Sequence, residues 1–317
     1  MEIDCLCMGI LFADVTCAPI PRLPNEGELI VVDQIQLALG GCASNTALDL
    51  VKLGVRVGVS GCVGEDPFGR VIVEALQKGG VDTSGVHTIP DKPSACTMII
   101  NVQGQDRRFI STPGANTLFG VEHVPTQWLQ QAKVIYVGGF FMLPKLETQE
   151  TVELFRRVRA AGVKTVLDVV MFGPENYWDR LAPLLPEIDV FVPNDHEGAL
   201  ITGLKDPLDQ ANRFREAGAK TVVITMGSQG SLLVTDGLRV RAGVYPVEFV
   251  GGAGSGDAFD AGFIAGMLAG EDPVGCLRWG SALGASCVRS ITTTDSVFTR
   301  PEAERFMQEN QLPLEIV

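Results

Sequence analysis

Apolar runs of strand length with no polar alternation recur along this chain, separated by stretches patterned for helices. IDCLCMGIL, VRVGVSG, KVIYVGG, KTVLDVV, DVFVPN and AKTVVITMG are such runs, and CASNTALDLVKLG, FGRVIVEALQKGG and TQETVELFRRVRAAG are the helical stretches. A strand that is apolar on both faces must be covered on both faces, and strands joined through helices run parallel. The pattern predicts an α/β fold: a three-layer α/β/α arrangement around a mostly parallel central sheet.

Two stretches break this alternation. Residues 14–39 contain three prolines and end in the alternating ELIVVDQIQLALGG, and SACTMIINVQGQDRRFIST reads as a hairpin turning at Gly104 and Gln105. Neither has a helix to cover it. Together they predict a small separate sheet, from approximately residues 14–39 and 94–112, that serves as a lid over one edge of the main sheet or as a homodimer contact through its open face. No repeat or linker divides the rest, so residues 1–317 read as one domain with the lid inserted.

The net charge of −13 and pI near 4.7 leave no basic face to displace counterions, which argues against nucleic acid and anionic membranes as partners. The expected ligand is a small molecule. No apolar stretch approaches the roughly 18 residues of a membrane span, and MEIDCLCMGILFADV lacks the basic start of a signal peptide, so the chain reads as cytoplasmic. Eight cysteines without a CxxC pair are too sparse for a disulfide scaffold; Cys5 and Cys7, two apart on one strand face, read as buried thiols.

GGAGSGDAFDAGF, Gly251 to Phe263, holds five glycines and then an acid, Asp257, where an apolar run begins. A glycine-rich turn entering a helix favours anions through its free N–H groups and the helix dipole. A P-loop is excluded because Asp257 and Ala258 stand where Lys and Ser or Thr are needed, and GxGxxG fails for want of its third glycine. An anion turn with an acid beside it suits phosphoryl transfer: the N–H groups hold the phosphoryl group while the acid takes the proton of the attacking hydroxyl. The competing explanation is an Asp that only caps the helix.

Asp14, GG-x₃-N (Gly40 to Asn45), VGEDPFG (Val63 to Gly69), N-x-x-E (Asn194 to Glu197), T-x-G-x-x-G (Thr225 to Gly230) and GSGDAF (Gly254 to Phe259) follow one another along nearly the whole chain. In this order they resemble the ribokinase-like, or PfkB-type, carbohydrate kinases. The resemblance implies that Asp257 is the base and that Gly254, Ser255 and Gly256 form the anion hole. It implies that Asp14, Gly40, Gly41 and Asn45 hold the sugar, that Asn194 and Glu197 organise Mg²⁺ through its waters, and that Thr225, Gly227 and Gly230 receive ATP. The function it implies is ATP-dependent phosphorylation of a hydroxyl of a small sugar or sugar-like polyol.

Two positions depart from that pattern. Gly251 stands where the family often carries an Asp associated with a monovalent cation, which puts potassium activation in doubt. Asp168 is not followed by the family's frequent Asn two residues on, since Val170 is there. A nucleoside kinase needs an aromatic shelf that residues 14–39 do not offer; a sugar-phosphate or sugar-acid kinase needs Arg107 and Arg108 to face the pocket, against their reading as a solvated strand end. A sugar-binding regulator without turnover has no use for Asp257. His196-Glu197 begins like HExxH, but Leu200 replaces the second histidine; Gly262 and Gly266, four apart, predict close helix packing.

Overall fold

The computed structural model describes residues 2–105, 108–173 and 175–317. Among them, fourteen strands are seen: β1 (Cys5–Gly9), β2 (Phe12–Cys17), β3 (Ile35–Gly40), β4 (Val57–Gly64), β5 (Asp82–Ile89), β6 (Cys96–Ile100), β7 (Arg108–Thr112), β8 (Val134–Gly138), β9 (Lys164–Leu167), β10 (Val190–Phe191), β11 (Thr221–Thr225), β12 (Ser231–Thr235), β13 (Leu238–Ala242) and β14 (Leu314–Ile316). Ten of them form the main sheet in the order β14-β13-β12-β11-β10-β9-β8-β1-β4-β5. From β11 to β5 neighbours are parallel, while β12, β13 and β14 add an antiparallel edge.

Period-two alternation splits the main sheet's side chains between two cores. Leu6 and Met8 of β1 point to one face, with Phe155, Phe191 and Phe214. Cys5 and Cys7 point to the other, under the helices Cys42–Lys52, Ser255–Ala269 and Pro273–Cys287. The expected three-layer arrangement is therefore present. The helices Ser255–Ala269 and Pro273–Cys287 come so close that a Cβ on Gly262 would lie 2.4 Å from the Trp279 carbonyl oxygen, and one on Gly266 2.9 Å from Cys276 Cα. This is the close packing that the four-residue glycine spacing predicts. All eight cysteines are free thiols, with Cys5 and Cys7 fully buried.

The strand order reverses at β1: β4 and β5 lie to one side, β8 to β11 to the other. At such a point the crossovers leave a crevice beyond the carboxyl ends of the strands. Here β1 and β8 end on Gly9 and Gly138, packed so tightly that a Cβ on Gly9 would lie 2.2 Å from the Gly138 carbonyl oxygen.

The chain leaves β1 for a separate four-stranded sheet ordered β3-β2-β6-β7. Asn116, wholly buried, fixes this exit by accepting from Leu11 N and donating to Leu11 O, both at 3.1 Å. The hairpin turns as expected, with Gly104 at φ 71° and Gln105 N bonded to Val102 O. The strand expected in ELIVVDQIQLALGG is shorter than its pattern: only Ile35–Gly40 pairs, with β2, while Leu29 and Val31 are exposed. Alternation alone does not make a strand where no partner strand extends far enough to take its hydrogen bonds. VGEDPFG anchors the other end of the hairpin, because Asp66 caps the Pro67–Lys78 helix and also accepts from Ser94 N and Oγ at 2.7 Å.

Candidate active site

Gly254, at φ 77°, turns the chain into the Ser255–Ala269 helix. The turn can be this tight only with glycine, since a Cβ there would lie 2.4 Å from the Thr293 carbonyl oxygen. Ser255 directs both its N–H and its hydroxyl back to Gly252 O, at 3.4 and 3.0 Å, and Ala258 N bonds Gly254 O. The N–H groups of Gly256 and Asp257 have no protein acceptor among the described residues. Gly256 is exposed, and a Cβ on it would meet nothing within 4 Å. The helix thus presents two free donors and its positive end to open space.

Asp257 sits in the first turn, half-buried. Burial pushes its pKa up, while hydrogen bonds from Asn45 and Cys42 pull it back. Asn45 Nδ2 donates to Asp257 Oδ2 at 2.7 Å, and Thr46 Oγ1 donates to the Asp257 carbonyl oxygen at 3.3 Å. The other atom of the amide, Asn45 Oδ1, is buried with no partner among the described residues. A buried acceptor left bare is costly, so this oxygen calls for a donor that the described residues do not supply.

Asp14 reaches the same space from β2. Its pKa is pushed up to about 6, chiefly by burial and next by the charge of Asp257, while Thr97 pulls it down. Gly40 lies directly beneath it: a Cβ there would be 2.1 Å from Asp14 Oδ2. Gly41 has φ 93° and abuts backbone, with a Cβ position 2.5 Å from the Ile10 carbonyl oxygen. Asp14, Gly40, Gly41, Asn45 and Asp257 therefore converge.

A second group of acids lies beside them. Cys42 Sγ and one carboxylate oxygen each of Asp168 and Asp257 are all within 4.8 Å of one another. The Asp168 pKa is raised by burial and then by Asp260, Glu197 and Asp257. Burial raises Glu197 to about 7, against the pull of Asn194. Burial also drives the Cys42 thiol up, keeping it a neutral S–H rather than a metal-binding thiolate. Asn194 and Glu197 form a reciprocal helix cap, with Asn194 N donating to Glu197 Oε2 at 2.8 Å and Glu197 N to Asn194 Oδ1 at 2.9 Å. The cap engages Oε2; Oε1 is not part of it. Oxygen donors crowded by mutual repulsion suit a hard divalent cation such as Mg²⁺, so the residues present fit that ion.

Asn194 also forms a parallel bridge with Thr225, which joins N-x-x-E to T-x-G-x-x-G at the carboxyl ends of β10 and β11. The loop then turns through Gly227 (φ 54°) and Gly230 (φ 86°), and a Cβ on Gly230 would lie 1.9 Å from the Ala242 carbonyl oxygen. Gly227 faces open space.

A family model described as pfkB family carbohydrate kinase matches residues 3–300. The chain belongs to this family. The PfkB chain is 26% identical over 308 residues to the ribokinase of Haemophilus influenzae, covering 95% of this chain and 97% of that one. It is 30% identical over 306 residues to the 2-dehydro-3-deoxygluconokinase of Bacillus subtilis, with 89% and 91% covered, and 30% identical over 249 residues to the cytidine kinase of Thermococcus kodakarensis, with 76% and 84% covered. Among solved structures it resembles Arabidopsis thaliana ribokinase complexed with ribose and ATP, at 26% identity, TM-score 0.84, and 97% and 99% of the two chains. As a PfkB kinase it is an ATP-dependent phosphotransferase acting on the hydroxyl of a sugar or sugar-like substrate.

Several residues of this PfkB site escaped the sequence reading. Asp260 is 2% exposed and accepts from Tyr136 Oη at 2.9 Å, one turn beyond Asp257. The Asp-x-x-Asp spacing in an otherwise apolar helix was its available signal. Nothing in sequence tied Tyr136, Cys42, Thr97 or Asn116 to the site. Arg107 lies outside the described residues. Arg108 pairs with Ile100, and strand alternation puts it on the face opposite to Asp14, Thr97 and Ser111; its guanidinium bonds Gln105 Oε1 at 2.6 Å. Phe109, by the same alternation, shares the Asp14 face.

Proposed function

We propose that Asp257 is the general base of a sugar kinase whose acceptor hydroxyl is held between Asp257, Asp14 and Asn45. The convergence of Asp14 and Asn45 on Asp257, directly beside the free N–H groups of the helix start, supports this reading, because it gathers hydroxyl-binding groups and an acid next to an anion site. Gly254 and Ser255 shape the anion hole, and the free N–H groups of Gly256 and Asp257 are its donors. Gly40 and Gly41 set the sugar side, and Thr225, Gly227 and Gly230 form the ATP loop. Asp168 and Glu197 would hold Mg²⁺, which neutralises phosphate charge when bound. Residues 1–317 act as one unit, with the four-stranded sheet as lid.

A neutral sugar or polyol is favoured over a sugar acid, because Arg108 lies on the face away from Asp14. The presence of Phe109 on the Asp14 face gives a nucleoside more support than residues 14–39 alone did. An ATP-consumption panel of free sugars, sugar acids, sugar phosphates and nucleosides tests this, with highest kcat/KM expected for a free sugar. Preference for an anionic sugar or a nucleoside overturns the assignment; tight sugar binding without ADP from any substrate returns the regulator. The outer face of the lid exposes Ile35, Leu37, Met98 and Ile110, an apolar patch suited to a homodimer, which sedimentation velocity at two concentrations reads directly. The reading places the enzyme in the cytoplasm, and Gly251, where the family often carries an Asp, speaks against potassium activation.

The clustered acids give a pH dependence of stability. A carboxyl raised in the folded state binds its proton more tightly there than in the unfolded chain, so its stabilising effect is full below about pH 4 and is lost as pH rises through the folded value. Asp14 (to about 6) and Glu197 (to about 7) set the window, and Asp168 and Asp260 act in the same direction. The ligand-free protein should therefore melt lower at pH 8 than at pH 5. Mg²⁺ with a nucleotide should raise Tm more at pH 8 than at pH 5, measured by differential scanning fluorimetry; an equal shift at both contradicts Glu197 and Asp168 as the ion's holders.

A further inference from the structure

Behind the anion turn lies a second polar cluster that the reading above does not use. Asp49, on the Cys42–Lys52 helix one turn beyond Asn45, is 0% exposed, and neither carboxylate oxygen has a hydrogen-bond partner among the described residues. One turn further, Lys52 bends its ammonium to the carbonyl oxygen of Thr294. That carbonyl belongs to a loop laid directly against the anion turn. Cβ atoms on Gly251 and Gly254 would fall 2.8 Å from Ser290 O and 2.4 Å from Thr293 O, and Cys287 Sγ lies 3.2 Å from Ala253 O and 3.1 Å from Thr293 O. Carbonyl oxygens thus gather on one side of the turn, with the buried Asp49 carboxyl on the neighbouring helix, and the ammonium of Lys52 reaches one of these carbonyls, Thr294 O, while Arg289 donates to Ser286 O and Ser296 O beside the loop.

We infer that Lys52 is a positioning residue for phosphoryl transfer: its ammonium acts as a built-in cation that fixes the Ser290–Thr294 loop, and through it the Gly251–Gly254 turn that leads into the Gly256 and Asp257 donors. This rests on the reading of that turn as the anion hole. The crowded carbonyl dipoles repel one another, and the charge of Lys52, which pulls the Asp49 carboxyl down against the rise that burial imposes, adds a positive centre among them. A tethered ammonium supplies the attraction without any free ion. Loosening the loop misaligns donors that matter most in the transition state, so kcat should suffer more than sugar binding.

The experiment compares wild type, Lys52→Ala and Lys52→Arg in sodium, potassium and ammonium chloride at matched ionic strength. Wild type should turn over equally in all three salts. Lys52→Ala should lose about tenfold or more in kcat, with KM for the sugar within about threefold. Potassium or ammonium, filling the space of the lost ammonium, should restore part of the loss, and Lys52→Arg should lie between. Several-fold activation of wild type by potassium overturns the inference, as does a Lys52→Ala kcat equal to wild type, or a folded, slow Lys52→Ala that no cation restores. Should Lys52→Ala fail to fold, the wild-type salt comparison and Lys52→Arg decide. If Asp257→Asn retains turnover, the anion-hole reading fails by itself; if that variant is inactive while Lys52→Ala ignores added cations, only the role of Lys52 is lost.

Discussion

Asp257→Asn should lose about two to four powers of ten in kcat, with ATP affinity nearly unchanged. The amide keeps the shape of the side chain and its contact with Asn45, and removes only the capacity to take a proton. The helix stays intact, because its first turn is closed by Ala258 N on Gly254 O and not by the Asp257 side chain. The free N–H groups of Gly256 and Asp257 are backbone, so phosphate binding survives the exchange. Stability should hold or rise slightly, since burial disfavours the charged carboxylate that the substitution removes. Initial rates under saturating sugar, with ATP binding followed by calorimetry, separate these effects. A variant retaining more than about a tenth of the rate leaves no room for a base worth two powers of ten.

The competing explanation for Asp257, a helix cap, meets a difficulty in the same geometry. The residue at the N-cap is Gly254, and among the described residues no side chain caps this helix. Asn194 shows the contrast: its side chain caps the Asp195–Thr202 helix reciprocally with Glu197, so there the structural role and the proposed ionic role share one pair of side chains.

The sequence made the central sheet readable because strands buried on both faces have to be largely apolar, as β1 and β8 are and as β4 is but for Ser60, whose hydroxyl donates to His123 O. The antiparallel edge was less readable: in β13 exposed Arg239 and Arg241 alternate with buried Val240 and Ala242, and β14 has three residues and depends on β13 for its pairing. The hairpin β6–β7 was readable from its turn, which Gly104 makes locally. The true length of β3 was not, because it is set by β2, a strand far back in the chain. In the site, motif glycines and acids announced themselves by spacing. Tyr136 and Asp260 did not, since they meet only where β8 packs on a helix 124 positions later.

Gly40 and Gly41 look alike in sequence, yet alanine at each should fail differently. At Gly40 the new methyl would lie 2.1 Å from Asp14 Oδ2, the free end of a side chain that can rotate away. The fold then tolerates the change while Asp14 is driven out of place. Loss of one charge-assisted hydrogen bond to a sugar hydroxyl, about 1.5–3 kcal/mol, should raise KM for the sugar roughly ten- to a hundredfold with little change in Tm. At Gly41 the methyl would meet the Ile10 carbonyl oxygen at 2.5 Å, with φ at 93°. Backbone cannot rotate away, and a side chain at this φ is strained, so Gly41→Ala should cost about 2 kcal/mol or more of stability. Thermal melts and sugar KM values for the two variants test the pair. If Gly40→Ala binds sugar as wild type does, Asp14 does not hold the substrate, because the one change confined to that carboxylate's position would have left recognition untouched.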